Sequence, residues 1–327
     1  MSRAVRSAVA LVLALVSVPY VVSARGPFGP ECDIGGTTYF VTIQGGGNLE
    51  GTPGNDVFQG SSGRDVIKGN GGNDAVCASG GNDDITFGSG HDRAEGGSGN
   101  DTIRGGGGND WIWGGTGSDS LAGQDGDDLV VGDNYQDAGS GAVDKITGGD
   151  GEDDLRGGDG NDRIYGQTDD DDLRGQDGDD SLSANAGNDK LWGGDGNDKL
   201  VAGSGNDVIR GEADDDRMYG EAGVDFLYGD AGSDYLSGSA DNDWLEGSTG
   251  NDTIFASTGT DFLFGGAGND KLDAGPGDDY VNVDSGEVSG QGFPVTDFDP
   301  GNDLIYGGSG ADLMSGGTGT DKIYGFA

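Results

Sequence analysis

Large aliphatic residues occur along this chain at one phase of a nine-residue period and are scarce at the other phases. The repeating unit reads G-G-x-G-N-D-x-U-x, where the eighth place, U, is Val, Ile, Leu, Met or Phe in 27 of 28 units and Ala94 in the remaining one. Ile103, Ile112, Leu121, Ile164, Leu191, Leu227, Leu263 and Ile323 are examples. The three residues after the aspartate alternate outward, inward, outward, the period of a strand. The glycine density leaves no stretch able to sustain a helix. A strict short period denotes stacked repeats, each burying its apolar residue against its neighbours. The fold class is therefore all-β: a solenoid of nine-residue repeats, two per coil, with a short strand on each side and position i above position i+18. About fourteen coils at a strand spacing near 4.8 Å give a rod of roughly 65 Å.

The first six places of each unit are expected to turn the corner. The fourth place is glycine in 24 of 28 units, and the exceptions are Ala142, Asp169, Asp214 and Asp241. Aspartate tolerates the left-handed conformation that such a turn requires. The sixth place carries the chemistry. It is Asp56, Asp65, Asp74, Asp83, Asp92, Asp101, Asp110, Asp119 and Asp128, then Asp144, Asp153, Asp162, Asp171, Asp180, Asp189, Asp198, Asp207, Asp216, Asp225, Asp234, Asp243, Asp252, Asp261, Asp270 and Asp279, then Asp303, Asp312 and Asp321. Stacking puts Asp101 near Asp119 and Asp252 near Asp270. Carboxylates this close repel one another unless a cation lies between them.

The charge balance sharpens the point. Sixty acidic residues oppose 17 basic ones, for a net charge of −43. Such a balance ordinarily signals disorder, but a disordered chain has no reason to keep one aliphatic residue at one phase. Nucleic acid is excluded as a partner by phosphate repulsion. A divalent cation is the remedy, and about twenty would bring the chain near neutrality. Calcium suits the available oxygen donors. Magnesium demands a stricter octahedral shell, and zinc would need more nitrogen or sulfur ligands than His91 and two cysteines can offer.

The strings GGSGND at 96–101, GGGGND at 105–110, GGDGND at 157–162 and 193–198, GGAGND at 265–270 and GGTGTD at 316–321 resemble the hemolysin-type calcium-binding repeat, also called the RTX repeat. The resemblance covers most of residues 51–327. It implies a right-handed parallel β-roll with multiple calcium ions in its turns, the sixth-place aspartates as side-chain ligands, and folding that depends on calcium. Some first and second glycines are replaced, as at Phe87 with Gly88 and at Ala184 with Asn185, and those turns are expected to bind more weakly. The toxin, protease or lipase domain common in better-known members is not visible in this sequence.

Outside the array, residues 1–24 read as a signal peptide. Arg3 and Arg6 precede an apolar run from Ala8 to Val22, with a small-residue cleavage site at Val22-Ser23-Ala24. Pro19 and the shortness of the run argue against a membrane anchor. The expectation is a secreted, extracellular or cell-surface protein without a membrane span after cleavage. Residues 25–50 form an N-terminal cap segment, with Thr37 to Ile43 as a capping strand, and the array occupies 51–327. Interruptions fall at 132–138, a unit two residues short that contains Asp137, and at 283–297. Cys32 and Cys77 are candidates for a disulfide in an oxidising medium, with two unrelated thiols as the alternative.

Paired carboxylates also serve glycosidases, but here they recur in every unit and so single out no catalytic pair. His91 occupies the fifth place of a turn and reads as a turn substitution, so no catalytic residue is assigned. Three classes of function follow: a calcium-binding structural or cell-surface protein, a calcium-dependent adhesion or carbohydrate-binding module, and an enzyme with a site that sequence motifs do not reveal. The second class has candidate residues. Phe226 and Tyr228, Trp244, Phe262 and Phe264, and Tyr280 fall at 18-residue intervals in the outward seventh and ninth places, where stacking would align them as an exposed aromatic ladder able to bind a surface polymer or a protein. The alternatives are that the rings only brace neighbouring strands or that the loop bearing Phe293 covers them.

Overall fold

A computed structural model describes residues 31–34, 37–133, 141–282, 300–302, 304–309, 313–316 and 318–326. The expected signal peptide, Asp137, Phe293, Asp303 and Asp312 lie outside these residues. Among the described residues every regular element is a strand. The strands alternate between two parallel sheets of 15 strands each. One sheet contains Thr102–Gly107, Ser120–Asp125 and Lys145–Asp150, and the other contains Arg93–Ser98, Trp111–Thr116 and Leu129–Val131. Partners within a sheet are 18 residues apart, as in Ile103 with Leu121 and Leu227 with Leu245. The protein is a parallel β-solenoid with two nonapeptides per coil.

Each strand is longer than three residues through most of the array. From Arg93–Ser98 to Phe262–Ala267 nearly all span six, and the ladder continues into the next unit's second and third places, as in Gly106 with Gln124 and Gly107 with Asp125. The corner is thus made chiefly by the fourth and fifth places rather than by all of the first six. The eighth-place residues form one buried column running through the coils, from Phe58 to Ile305. The first place also points inward, which is why Ala78, Ala184, Ala202, Ala256 and Ala274 are tolerated there and fully buried. Burying each Leu or Ile contributes about 2–3 kcal/mol, so the column is the apolar driving force. It gains area only as coils stack.

Both interruptions leave the stack intact. Ser120 pairs with Lys145, an offset of 25, and Lys271 with Leu304, an offset of 33. Relative to 18, these offsets insert seven and 15 residues between coils. The short unit near 132–138 therefore contributes no pair of rungs of its own. The ladder also begins before the first full motif: Ile43–Gln44 and Asn48–Glu50 are the outermost strands of the two sheets, and Leu49 pairs with Ile67.

The segment before the array forms an antiparallel hairpin, Glu31–Ile34 with Thr37–Phe40. It lies on the flank of the roll and not across its end. Cys32 and Ile34 pack with Ala75, Cys77 and Trp113, whose side chains project from the outer face of one sheet. Cys32 and Cys77 form a disulfide with their Cα atoms 5.7 Å apart. The sequence left this pairing open because separation along the chain says nothing of proximity.

Candidate metal-binding turns

The sixth-place aspartates lie in two files, one along each edge of the roll, because successive turns stack at the 18-residue offset. From Asp65 to Asp279 they are no more than 3 % exposed. Each carboxylate is fixed from the preceding coil: the amide of Asp83 donates to Asp101 Oδ1 at 2.7 Å, that of Asp101 to Asp119 at 2.7 Å, and that of Asp252 to Asp270 at 2.8 Å. The files pass unbroken over the first interruption, where the amide of Asp119 donates to Asp144 Oδ1 at 2.7 Å. The neighbours expected from spacing alone are thus brought together.

The second oxygen has a different fate. From Asp74 to Asp261, every sixth-place Oδ2 is buried and accepts no hydrogen bond from the protein. It points into the coil beside the first-place residue: a Cβ added to Gly105 would lie 2.2 Å from Asp110 Oδ2. A buried anionic oxygen without a partner costs several kcal/mol. Burial is the largest cause of a general upward shift in these carboxyl pKa values, opposed by the amide hydrogen bond. Mutual repulsion along the file adds to it in many of them. Asp110, Asp119, Asp171, Asp180, Asp216 and Asp243 rise to about 8, and Asp144, Asp153, Asp198 and Asp252 to about 7. A proton or a cation is needed at these oxygens at neutral pH.

The first two turns depart from this pattern. Thr52 and Ser61, at the second place, lack the positive φ that Ser79 and Ser257 hold there, and their amides donate to Asp56 Oδ2 at 2.6 Å and Asp65 Oδ2 at 2.7 Å, with the hydroxyls adding further bonds. Asp56 and Asp65 are therefore satisfied by the protein itself. A hydroxyl at the second place is not by itself the signal, since Ser79, Ser239, Ser248 and Ser257 stand there too and leave the Oδ2 of Asp83, Asp243, Asp252 and Asp261 without a hydrogen bond.

The backbone of the turn supplies the remaining donors. In most turns the second and fourth places have positive φ, where glycine is least strained. Asp169, Asp214 and Asp241 hold φ of 74°, 73° and 76° at the fourth place, as their side chains permit. The carbonyls of these places face the next coil at short range: a Cβ on Gly205 would fall 1.5 Å from the Gly187 oxygen. The fifth place forms a second polar file that the motif alone did not reveal. The amide of Asn100 donates to Asn82 Oδ1 at 3.1 Å and that of Asn197 to Asp179 Oδ1 at 2.9 Å, so this side chain serves the following coil while the sixth serves the preceding one. Residues with a short acceptor are needed there. His91 meets the requirement, its Nδ1 accepting from the Asn109 amide at 2.8 Å, in keeping with a turn substitution.

These donors fit a hard divalent cation. Among the described residues no three His, Cys, Asp or Glu side chains converge, so a shell of six to eight ligands must draw on main-chain carbonyls beside the carboxylates. Apart from the ring of His91, the turns offer oxygen donors, with buried carboxylate oxygens left over. Calcium, when bound, would supply the positive charge these oxygens lack.

The aromatic residues stand away from the turns, and their ladder is only partly exposed. Phe226 and Phe262 are 41 % and 40 % exposed. Trp244 stacks on Phe262 with ring centroids 5.8 Å apart, and Phe262 lies 5.9 Å from Tyr280. Phe264 is buried, contrary to expectation, because it packs between Trp244 and Tyr280 at 4.6 and 5.8 Å. Tyr228 is half-buried beneath the Arg210 guanidinium, 4.5 Å from its ring.

No curated protein matches the chain. The profile of the RTX calcium-binding nonapeptide repeat matches it in overlapping segments, at 50–85, 88–134, 138–287 and 299–325 when these are merged. Together they span most of the array described above, and the nonapeptide whose turns these are places this chain in the family of RTX calcium-binding repeat proteins.

Proposed function

We propose that this is a secreted, non-enzymatic calcium-binding protein of structural or cell-surface role, whose roll orders as calcium binds between stacked turns. The observation that carries the proposal is the unbroken run of buried Oδ2 atoms from Asp74 to Asp261 that the protein leaves without hydrogen bonds. Raising one carboxyl pKa from 3.8 to about 8 costs on the order of 4 kcal/mol at pH 7. A few such groups would cancel the 5–15 kcal/mol by which domains are typically stable. Calcium removes this cost, the turns close, and the aliphatic column becomes buried. By linkage, stability rises with free calcium, and affinities of about 0.1–1 mM suit an extracellular module. Asp303, Asp312 and Asp321 are proposed to serve in the same way as the sixth-place residues described. The test is far-UV circular dichroism at pH 7.5 in 5 mM calcium (on the order of ten times such a Kd) and in EDTA. A β spectrum that persists unchanged in EDTA refutes the proposal.

The partial exposure of Phe226, Trp244, Phe262 and Tyr280 supports a second reading, a calcium-dependent adhesion module acting through this aromatic edge. Replacing Trp244 and Phe262 by Ser is expected to abolish adhesion to cells or cell-wall polymer while calcium-dependent folding persists. Undiminished adhesion of the double variant overturns it.

A further inference from the structure

The few cations of this acidic chain are not scattered evenly. In the sheet facing away from the aromatic edge, the seventh place reads Lys145, Arg163, Ser181, Lys199 and Arg217 on five consecutive strands in direct register. All four cations are exposed. On the nine consecutive strands from Thr102–Gly107 to Thr253–Thr258, no Asp or Glu occupies a seventh or ninth place. The nearest acids on the strands bearing the four cations are Asp150 and Glu221, in third and second places towards the turn. The other sheet contrasts with this. Its Arg156, Arg174 and Arg210 are tied to Asp154, Asp172 and Asp230 at 2.6–3.2 Å, whereas Lys145, Arg163, Lys199 and Arg217 take part in no ion pair among the described residues.

A row of unpaired cations on a surface cleared of carboxylates, in a protein of charge −43, runs against the average composition. We infer that this face binds a linear anionic polysaccharide laid along the axis of the roll. Charge complementarity requires a polyanion. Its charge density is set by the ladder: four charges lie over four strand spacings, about 19 Å at ~4.8 Å each. Duplex DNA carries one charge per ~1.7 Å and a single strand one per ~3.4 Å, both denser than the row's one per ~4.8 Å, an excess of charge that the acidic remainder of the molecule would repel. A glycan with about one charge per sugar ring matches it. Tyr165 and Tyr219, in the ninth places beside Arg163 and Arg217, are half-buried, Tyr219 lying 5.6 Å from the Tyr235 ring, and the part of each ring left exposed can pack on a pyranose, while the intervening Ser181 offers a hydroxyl.

The inference needs only the folded roll, whatever the aromatic edge does. The test uses the full chain in 5 mM calcium (the same multiple of the expected Kd), with fluorescein-labelled chondroitin sulfate as the probe and binding followed by anisotropy. Changing Lys145, Arg163, Lys199 and Arg217 to Ser is expected to weaken binding at least about tenfold and to flatten its salt dependence. The milder pair Lys199→Ser and Arg217→Ser should give an intermediate loss. Changing Arg156, Arg174 and Arg210 to Ser on the opposite sheet is expected to alter binding by less than about twofold. Circular dichroism of the same samples reports folding separately, so loss of the calcium-dependent fold is distinguished from loss of the glycan. The inference is overturned if the folded native protein does not bind, if the four-fold variant binds undiminished, or if the opposite-face variant loses as much. Binding of single-stranded DNA as tight as that of chondroitin sulfate also overturns it.

Discussion

Replacing Asp216 by Asn separates a ligand from a structural hydrogen-bond acceptor. Asp216 Oδ1 accepts the Asp198 amide at 2.8 Å, and the Asp216 amide donates to Asp234 Oδ1 at 2.8 Å. Asparagine retains both of these bonds and the shape of the group. What changes is Oδ2, which is buried, accepts no hydrogen bond and sits where a Cβ on Gly211 would lie 2.1 Å away. If that oxygen holds calcium, the variant loses an anionic partner of a buried cation, at a cost of about 3–5 kcal/mol. For a protein of this size, each kcal/mol lowers Tm by about 2–4 °C, so a fall of at least about 6 °C is expected in 5 mM calcium, a concentration roughly tenfold above the expected Kd. Without calcium at pH 4 the native carboxyl is protonated, and Asn should then be neutral to within about 0.5 kcal/mol. Thermal melts followed by circular dichroism in both conditions decide the matter. Equal losses in both would make Asp216 a purely structural residue, and no loss in calcium would remove it from the ligand set.

The metal-free protein should be stabilised by acid. The sixth-place carboxyls have raised folded-state values, so their contribution is fully present below about pH 4 and lost as pH rises through 6 to 8; a calcium-stripped sample that shows no gain in β signal from pH 8 to pH 4 contradicts this. Leu227→Ala, in the fully buried column, is expected to cost about 2–5 kcal/mol and to raise the calcium concentration needed for folding; an unchanged calcium midpoint would argue that folding and binding are not coupled. Gly205→Ala should be more disruptive than its size suggests, since its Cβ would meet the Gly187 carbonyl, and a thermal melt matching that of the native protein would show that the coils do not approach so closely. Cys77→Ser removes a cross-link closing 45 residues, worth about 4 kcal/mol in the loop-entropy view. The expected result is release of the hairpin, seen as a change in Trp113 fluorescence, with the coils beyond it still folded in calcium.

Much of the architecture was legible in the sequence because each place of the nonapeptide has one physical duty. Leu227 and its equivalents announced the inward phase, and the constant interval fixed the partner of every strand, so Asp101 could be set against Asp119 from counting alone. Longer-range features were not legible. Nothing in the order of residues shows that the hairpin at 31–40 lies along the flank of the roll, because that contact joins Cys32 to a side chain 45 residues away. The extension of strands into the second and third places was hidden by glycine, which reads as a turn former even where it belongs to a ladder. Phe264 was expected at the surface from its phase, but two neighbouring rings cover it. In the turns the aspartate was plain, while the fifth-place file was not, because Asn82, His91 and Asp179 share only a short acceptor and no common side chain.

The most direct test of the central claim is equilibrium dialysis of the protein against radioactive calcium at pH 7.5, with circular dichroism recorded on the same samples. The account predicts uptake of many ions per chain, saturating in the millimolar range or below, with the β signal rising in step. A chain that takes up no appreciable calcium at millimolar concentration, or that is fully β before any is bound, would contradict it.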